Sequence, residues 1–158
     1  GLFYFSFLLL TLAGTAAFVH EARRARKAFG GGMRQAGVLA AAALLALRDG
    51  PEQLSADHER ARRLALGLAE LPWARVDVDA TETNIVMLEF ALEPAAAVAA
   101  AARLLRHLEA HGVRAAGSGP ARIRFVLHRD VDDAGVTRCL AACRTFAPHA
   151  AAPARAPA

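Results

Sequence analysis

An α+β chain, with helices over one face of a small and mainly antiparallel sheet, is what this sequence predicts, and three observations predict it. Between about residues 52 and 147 the hydrophobic period switches repeatedly, in the order helix, strand, strand, helix, strand, strand, helix. The strand candidates alternate apolar and polar residues, as in a sheet with one buried face. Turn signals such as Gly117-Ser118-Gly119-Pro120 stand between them. Residues 1 to about 47 predict one apolar segment and two helices, which are too few to enclose a core. The two parts therefore require a third.

Composition narrows the function classes. With 158 residues, 55% of them hydrophobic, there is material for one domain with a proper core or for a domain plus a piece of another. The first residue is Gly1 rather than Met, so a fragment of a longer protein is expected. The formal charge of +4 permits an acidic partner. Lys27 is the only lysine among 19 basic residues, and the arginines are scattered with almost no aromatic interleaving. That excludes a nucleic-acid-binding reading. Cys139 and Cys143 are four apart in a helical pattern, a spacing that suits two buried thiols better than a bridge.

In chain order, residues 1–19 are uncharged, contain Phe3, Tyr4, Phe5, Phe7 and Leu8-Leu9-Leu10, and are followed by the basic run Arg23 to Lys27. A membrane anchor, a signal-like segment and a buried strand all fit that pattern. The spacing of Phe18, Ala22, Ala25 and Phe29 predicts an amphipathic helix from Ala16 that ends at Gly30-Gly31-Gly32. Three glycines free the backbone for positive φ and for close approach to another surface. Arg34 then stands at the entry to an Ala/Leu helix running from about Val38 to Leu47, where a guanidinium beside free helix N–H groups suits phosphate or carboxylate. The loop is either a flexible connector or an anion or partner site.

Asp49-Gly50-Pro51 stops that helix and starts another, with proline in its first turn. Leu54, Ala61, Leu64, Ala65, Leu68 and Leu71 are its predicted apolar face, while Asp57, Glu59, Arg60, Arg62 and Arg63 are its predicted solvated one. Arg75 to Asp79 reads as an edge strand and Asn84 to Phe90 as a more buried one. Pro94 to Ala110 is a helix closed by Gly112, and its His107 and His111 read as exposed helix-end histidines rather than metal ligands. Val113-Arg114-Ala115 begins a short strand. In Arg122 to His128 the residues Ile123, Phe125 and Leu127 share one face, and Arg122, Arg124, Val126 and His128 share the other. A guanidinium in mid-strand is costly to bury unpaired, so Arg124 is either satisfied by a carboxylate of this protein or held ready for one on a ligand. Asp130, Asp132 and Asp133 offer caps for a last helix through Val136, Leu140, Cys143 and Phe146, and residues 148–158 form an Ala/Pro/Arg tail expected to be disordered.

The run Ala22-Arg23-Arg24-Ala25-Arg26-Lys27-Ala28-Phe29-Gly30-Gly31-Gly32-Met33-Arg34-Gln35-Ala36-Gly37 closely resembles the low-specificity L-threonine aldolases. Asp57-His58-Glu59-Arg60-Ala61, the Thr83-Asn84 strand opening and Arg122 to Val131 resemble them too, in order and spacing. The likeness implies the C-terminal portion of a pyridoxal-phosphate enzyme of the aspartate aminotransferase-like architecture (fold type I). Residues 52–147 would be its small C-terminal domain and residues 1–47 a remnant of its large cofactor domain, behind a start (residues 1–10) foreign to the family. It implies a lyase of amino-acid metabolism that cleaves L-threonine or L-allo-threonine to glycine and acetaldehyde. Further implications are a homo-oligomer, dimer or tetramer, with pyridoxal 5'-phosphate as cofactor. Arg124 matches an arginine that holds the substrate carboxylate, and Arg34 one that anchors the cofactor phosphate.

One departure matters. The family's covalent cofactor lysine should fall near Leu2, and no lysine stands there, so the chain alone is expected to be inactive and to carry no catalytic residue. Two other readings stay open: a non-catalytic remnant that binds an aldolase-type partner, and a protein anchored in a membrane through residues 1–19. A cytoplasmic location is expected, with mitochondrial or membrane-anchored placement left open.

Overall fold

A computed structural model describes residues 14–148. The apolar start, the position of Leu2 and the tail beyond Pro148 lie outside the described residues. The chain divides into two compact units, residues 1–51 and 52–158, and each is treated by itself.

In the first unit, α1 (Ala16–Ala28) begins at Thr15, whose hydroxyl accepts from the Phe18 N–H at 3.3 Å. It ends in a Schellman motif, in which Gly30, at φ +75°, donates to the Lys27 carbonyl and Gly31 to the Arg26 carbonyl. The second helix, α2 (Gly37–Asp49), starts at Ala36 with no side-chain cap. Neither helix has a buried residue. Among the described residues, no helix is long and apolar enough to cross a membrane.

The second unit is α+β. Its elements are α3 (Pro51–Ala69), β1 (Ala74–Arg75), β2 (Ile85–Phe90), α4 (Pro94–Ala110), β3 (Ala116–Gly117), β4 (Arg122–Val126) and α5 (Asp133–Thr145), with α3's first residue falling at the unit boundary. The strands form one antiparallel sheet in the order β1-β2-β4-β3. Val86, Leu88 and Phe90 from β2, with Ile123, Phe125 and Leu127, meet Leu64 and Leu68 of α3, Leu104 and Leu108 of α4, and Val136 and Cys143 of α5 in a single core. Trp73 closes one end, stacked on Phe90 at 5.6 Å and edge-on to Phe146 at 5.3 Å. The outer face of the sheet carries Ile85, Met87, Glu89, Arg122, Arg124 and Val126.

Helix ends follow local chemistry. Gly112, at φ +72°, makes a second Schellman motif, with Val113 donating to Leu108 and Gly112 to Glu109. The Asp132 carboxylate caps α5 by accepting from the Gly135 N–H at 2.8 Å.

Several expectations are corrected. The edge strand expected at 75–79 is only Ala74–Arg75, because the Asp77 carboxylate accepts from the Ala80 N–H and bends the chain into a turn. Residues 113–115 stand outside the sheet, and β3 pairs only through Ala116 and Gly117. Leu54, placed on the apolar face of α3, is half exposed, whereas Asp57, placed on the solvated one, is 7% exposed. Asp57 lies one turn before Ala61 and two before Leu64, so helical geometry carries it onto the core side. His107 is half-buried and bridges helices, its Nε2 lying 2.9 Å from the Ala142 carbonyl.

Candidate functional site

The glycine triplet divides into three separate cases. Gly30 is needed for its positive φ at the end of α1. A Cβ on Gly31 would meet the Arg26 side chain at 2.9 Å and its carbonyl oxygen at 3.1 Å. Gly32 would meet nothing within 4 Å among the described residues, so neither its backbone nor packing against them calls for glycine there. Open space at Gly32 leads directly to Met33 and Arg34, both exposed. Arg34 has no hydrogen bond or ion pair among the described residues, and the uncapped first turn of α2 follows it. Free N–H groups with an unpaired guanidinium make a patch with donors and no acceptor of its own, which suits an oxyanion. The phosphate of a pyridoxal cofactor is such a group, so this part of the chain fits it. Lys27, the one lysine, is exposed in the last turn of α1.

Arg124 belongs to the second unit and sits at the centre of β4. The core helices pack on the other face of the sheet, and Arg124 is exposed, so no cost of burial arises. Met87 is its cross-strand partner on β2 and Ala116 on β3. No carboxylate of the described residues pairs with it. A carboxylate stands one rung away, but Glu89 is held by Arg122, which donates to Oε1 through both Nε, at 2.9 Å, and Nη2. Beside these residues the outer face forms a hollow of about 520 Å³ lined by Arg75, Asp77, Met87 and Glu89 among others.

Other charged groups are explained by packing. Arg60 joins the buried Asp57, at 3.3 Å, to Asp133 at the start of α5, at 3.1 Å, and Arg63 reaches the same Asp133 oxygen at 2.6 Å. These bonds hold the Asp133 carboxyl below its ordinary range. The bond with Cys143 and burial push the Cys139 thiol up, which makes it a poor nucleophile, and both cysteines are free and buried. No cluster of three or more His, Cys, Asp or Glu among the described residues could hold a metal ion.

Sequence reasoning singled out Arg34 and Arg124 but missed the Glu89–Arg122 pair and the place of Met87. Both depend on cross-strand register, which a single strand does not reveal. The alternation in β2 placed Met87 and Glu89 on one face, and that was the available signal.

A family model described as Beta-eliminating lyase matches residues 11–91, just over half of the chain, and the chain belongs to this family. Arg34 falls inside the matched residues and Arg124 outside them. Within that family the chain is similar to low-specificity L-threonine aldolases. It is 38% identical to Low-specificity L-threonine aldolase 1 of Arabidopsis thaliana over 125 residues, which is 79% of this chain and 34% of the relative. It is 34% identical to Low specificity L-threonine aldolase of Escherichia coli (strain K12) over 135 residues, 85% of this chain and 37% of the relative. The chain thus spans about a third of the length of these curated relatives.

Proposed function

We propose that this chain supplies the substrate-carboxylate and cofactor-phosphate arginines of a pyridoxal-phosphate-dependent threonine aldolase, which cleaves L-threonine or L-allo-threonine to glycine and acetaldehyde. The observation that carries the reading is Arg124, an exposed guanidinium with no partner among the described residues, on the face of the sheet opposite the core helices, while its neighbour Arg122 is occupied. A planar fork can take both oxygens of an α-carboxylate at once and so fix the orientation of Cα. Arg34 and the free N–H groups at the start of α2 hold the phosphate. When bound, pyridoxal phosphate supplies the electron sink for the pair left on Cα as the Cα–Cβ bond breaks.

In this reading residues 52–147 are the small domain of a fold-type-I enzyme, and residues 1–47 belong to its large domain. The family's oligomeric habit favours a dimer or tetramer. The exposed leucines of α2 are consistent with a helix covered in the whole assembly. With Lys27 as its single lysine, at the end of α1, the chain alone is not competent for the covalent step. A lysine from outside this sequence completes the site.

Replacing Arg124 with alanine in the holoenzyme should raise the KM for L-threonine by the factor that corresponds to about 1.5–3 kcal/mol, the loss of hydrogen bonds to a charged group, with a smaller change in kcat. An unchanged KM removes the carboxylate role. Cleavage of L-threonine by the isolated chain supplied with pyridoxal phosphate, abolished by Lys27→Ala, would contradict its predicted incompetence.

A further inference from the structure

The four strands carry three arginines and a single carboxylate, Glu89. Register decides which arginine takes it. Glu89 stands directly opposite Arg75 on one side and Arg122 on the other, in one rung of the ladder. Arg124 lies in the next outward-facing rung, opposite Met87. The Leu127 N–H donates to the Asn84 carbonyl at 2.8 Å, so Asn84 and Leu127 are a hydrogen-bonded pair. Alternation then makes Met87–Arg124 and Glu89–Arg122 non-hydrogen-bonded pairs, the kind whose side chains stand closest. Glu89 and Arg124 are diagonal neighbours on the same face, at a separation that long side chains span.

Glu89 therefore has three guanidiniums within reach, Arg75 and Arg122 across its own rung and Arg124 on the diagonal, and Arg122 has won, with two donors on Oε1. Without Arg122, nothing on β4 would hold the carboxylate away from Arg124. We propose that Arg122 is a positioning residue: by engaging Glu89 it keeps the protein's own carboxylate off Arg124 and leaves that guanidinium open for a carboxylate ligand. This deepens the proposed function and rests on it for the ligand. The competition between Glu89 and the two arginines stands on geometry alone.

Arg75 separates this positioning role from a general effect of added positive charge. Arg75 is on the same rung and face, carries the same charge, and makes no bond to Glu89. In the full chain, labelled for arginine side-chain NMR, Arg122→Gln should slow hydrogen exchange at the Arg124 Nε–H. Glu89→Gln added to Arg122→Gln should reverse that slowing, and Arg75→Gln should not produce it. In the holoenzyme Arg122→Gln should raise the KM for L-threonine up to about fivefold with kcat unchanged, the range of an exposed ion pair. The double variant should return it to the starting value, and Arg75→Gln should leave it there.

Unaltered exchange at Arg124 in Arg122→Gln overturns the proposal, as does an equal effect of Arg75→Gln. If Arg124→Ala leaves KM unchanged while the exchange pattern holds, the competition for Glu89 is upheld and the carboxylate role of Arg124 is what fails.

Discussion

In α2 the leucines at 44, 45 and 47 are 67%, 52% and 70% exposed; in α3 Leu64 and Leu68 are 2% and 0% exposed. Leucine content does not separate the two helices. What separates them is where the polar residues fall. From Asp57 onward, α3 collects Ala61, Leu64, Ala65 and Leu68 on one stripe, leaving Leu66 half exposed, and that stripe joins the core that the sheet also lines. The apolar residues of α2 run round the helix with no opposing polar face, so there is no single direction in which it can bury them. Apolar composition thus makes a helix eligible for burial, and only a stripe matched to a neighbouring surface achieves it within one unit. The outer face of the sheet lies between these cases: its charged rung is self-paired at Glu89–Arg122, and its next rung, at Arg124, is not.

The comparison breaks if truncations in the two units cost the same. Leu104, fully buried, should lose about 2–5 kcal/mol of unfolding free energy on replacement by alanine. Leu44→Ala should stay within about 0.5 kcal/mol. Urea unfolding followed by the fluorescence of Trp73, the one tryptophan and part of the second unit's core, measures the first, and far-ultraviolet circular dichroism, which follows the helices of both units, measures the second. A smaller effect tests whether charge also organises the second unit. Arg60→Ala leaves Asp57 buried without its partner and should cost about 1–3 kcal/mol. Adding Asp57→Asn should recover part of that loss, and no recovery would mean that Arg60 acts through packing alone.

The smallest effect is a pH dependence. The Asp133 carboxyl, depressed by Arg63 and Arg60, contributes stability that is fully present above its ordinary value of 3.8 and is lost as pH falls through the lower folded value. The unfolding midpoint should therefore decline as pH drops below about 4. Asp133→Asn should flatten that part of the profile, and an unchanged slope would assign the decline to other carboxylates.

Elements governed by local chemistry are legible in the amino-acid order itself. The ends of α1 and α4 at Gly30 and Gly112, the cap at Asp132 and the inward set Ile123, Phe125 and Leu127 each depend on a few neighbouring residues. The shortness of β1 and the absence of 113–115 from the sheet are not legible there, since a strand's length depends on whether a partner lies alongside. Asp57 reads as a surface acid when residue type is weighed above position on the helix, and position is what decides its burial.

For the site, the residues alone single out Arg34 and Arg124 as guanidiniums in settings where a charge needs a reason. Tertiary structure decided that Arg122 is paired and Arg124 is not. Strand alternation places Arg122 and Arg124 on the same face with equal standing, and only the register of β2 against β4 gives Glu89 to one and leaves the other open. Register is a relation between two strands set by packing, and neither strand's sequence contains it.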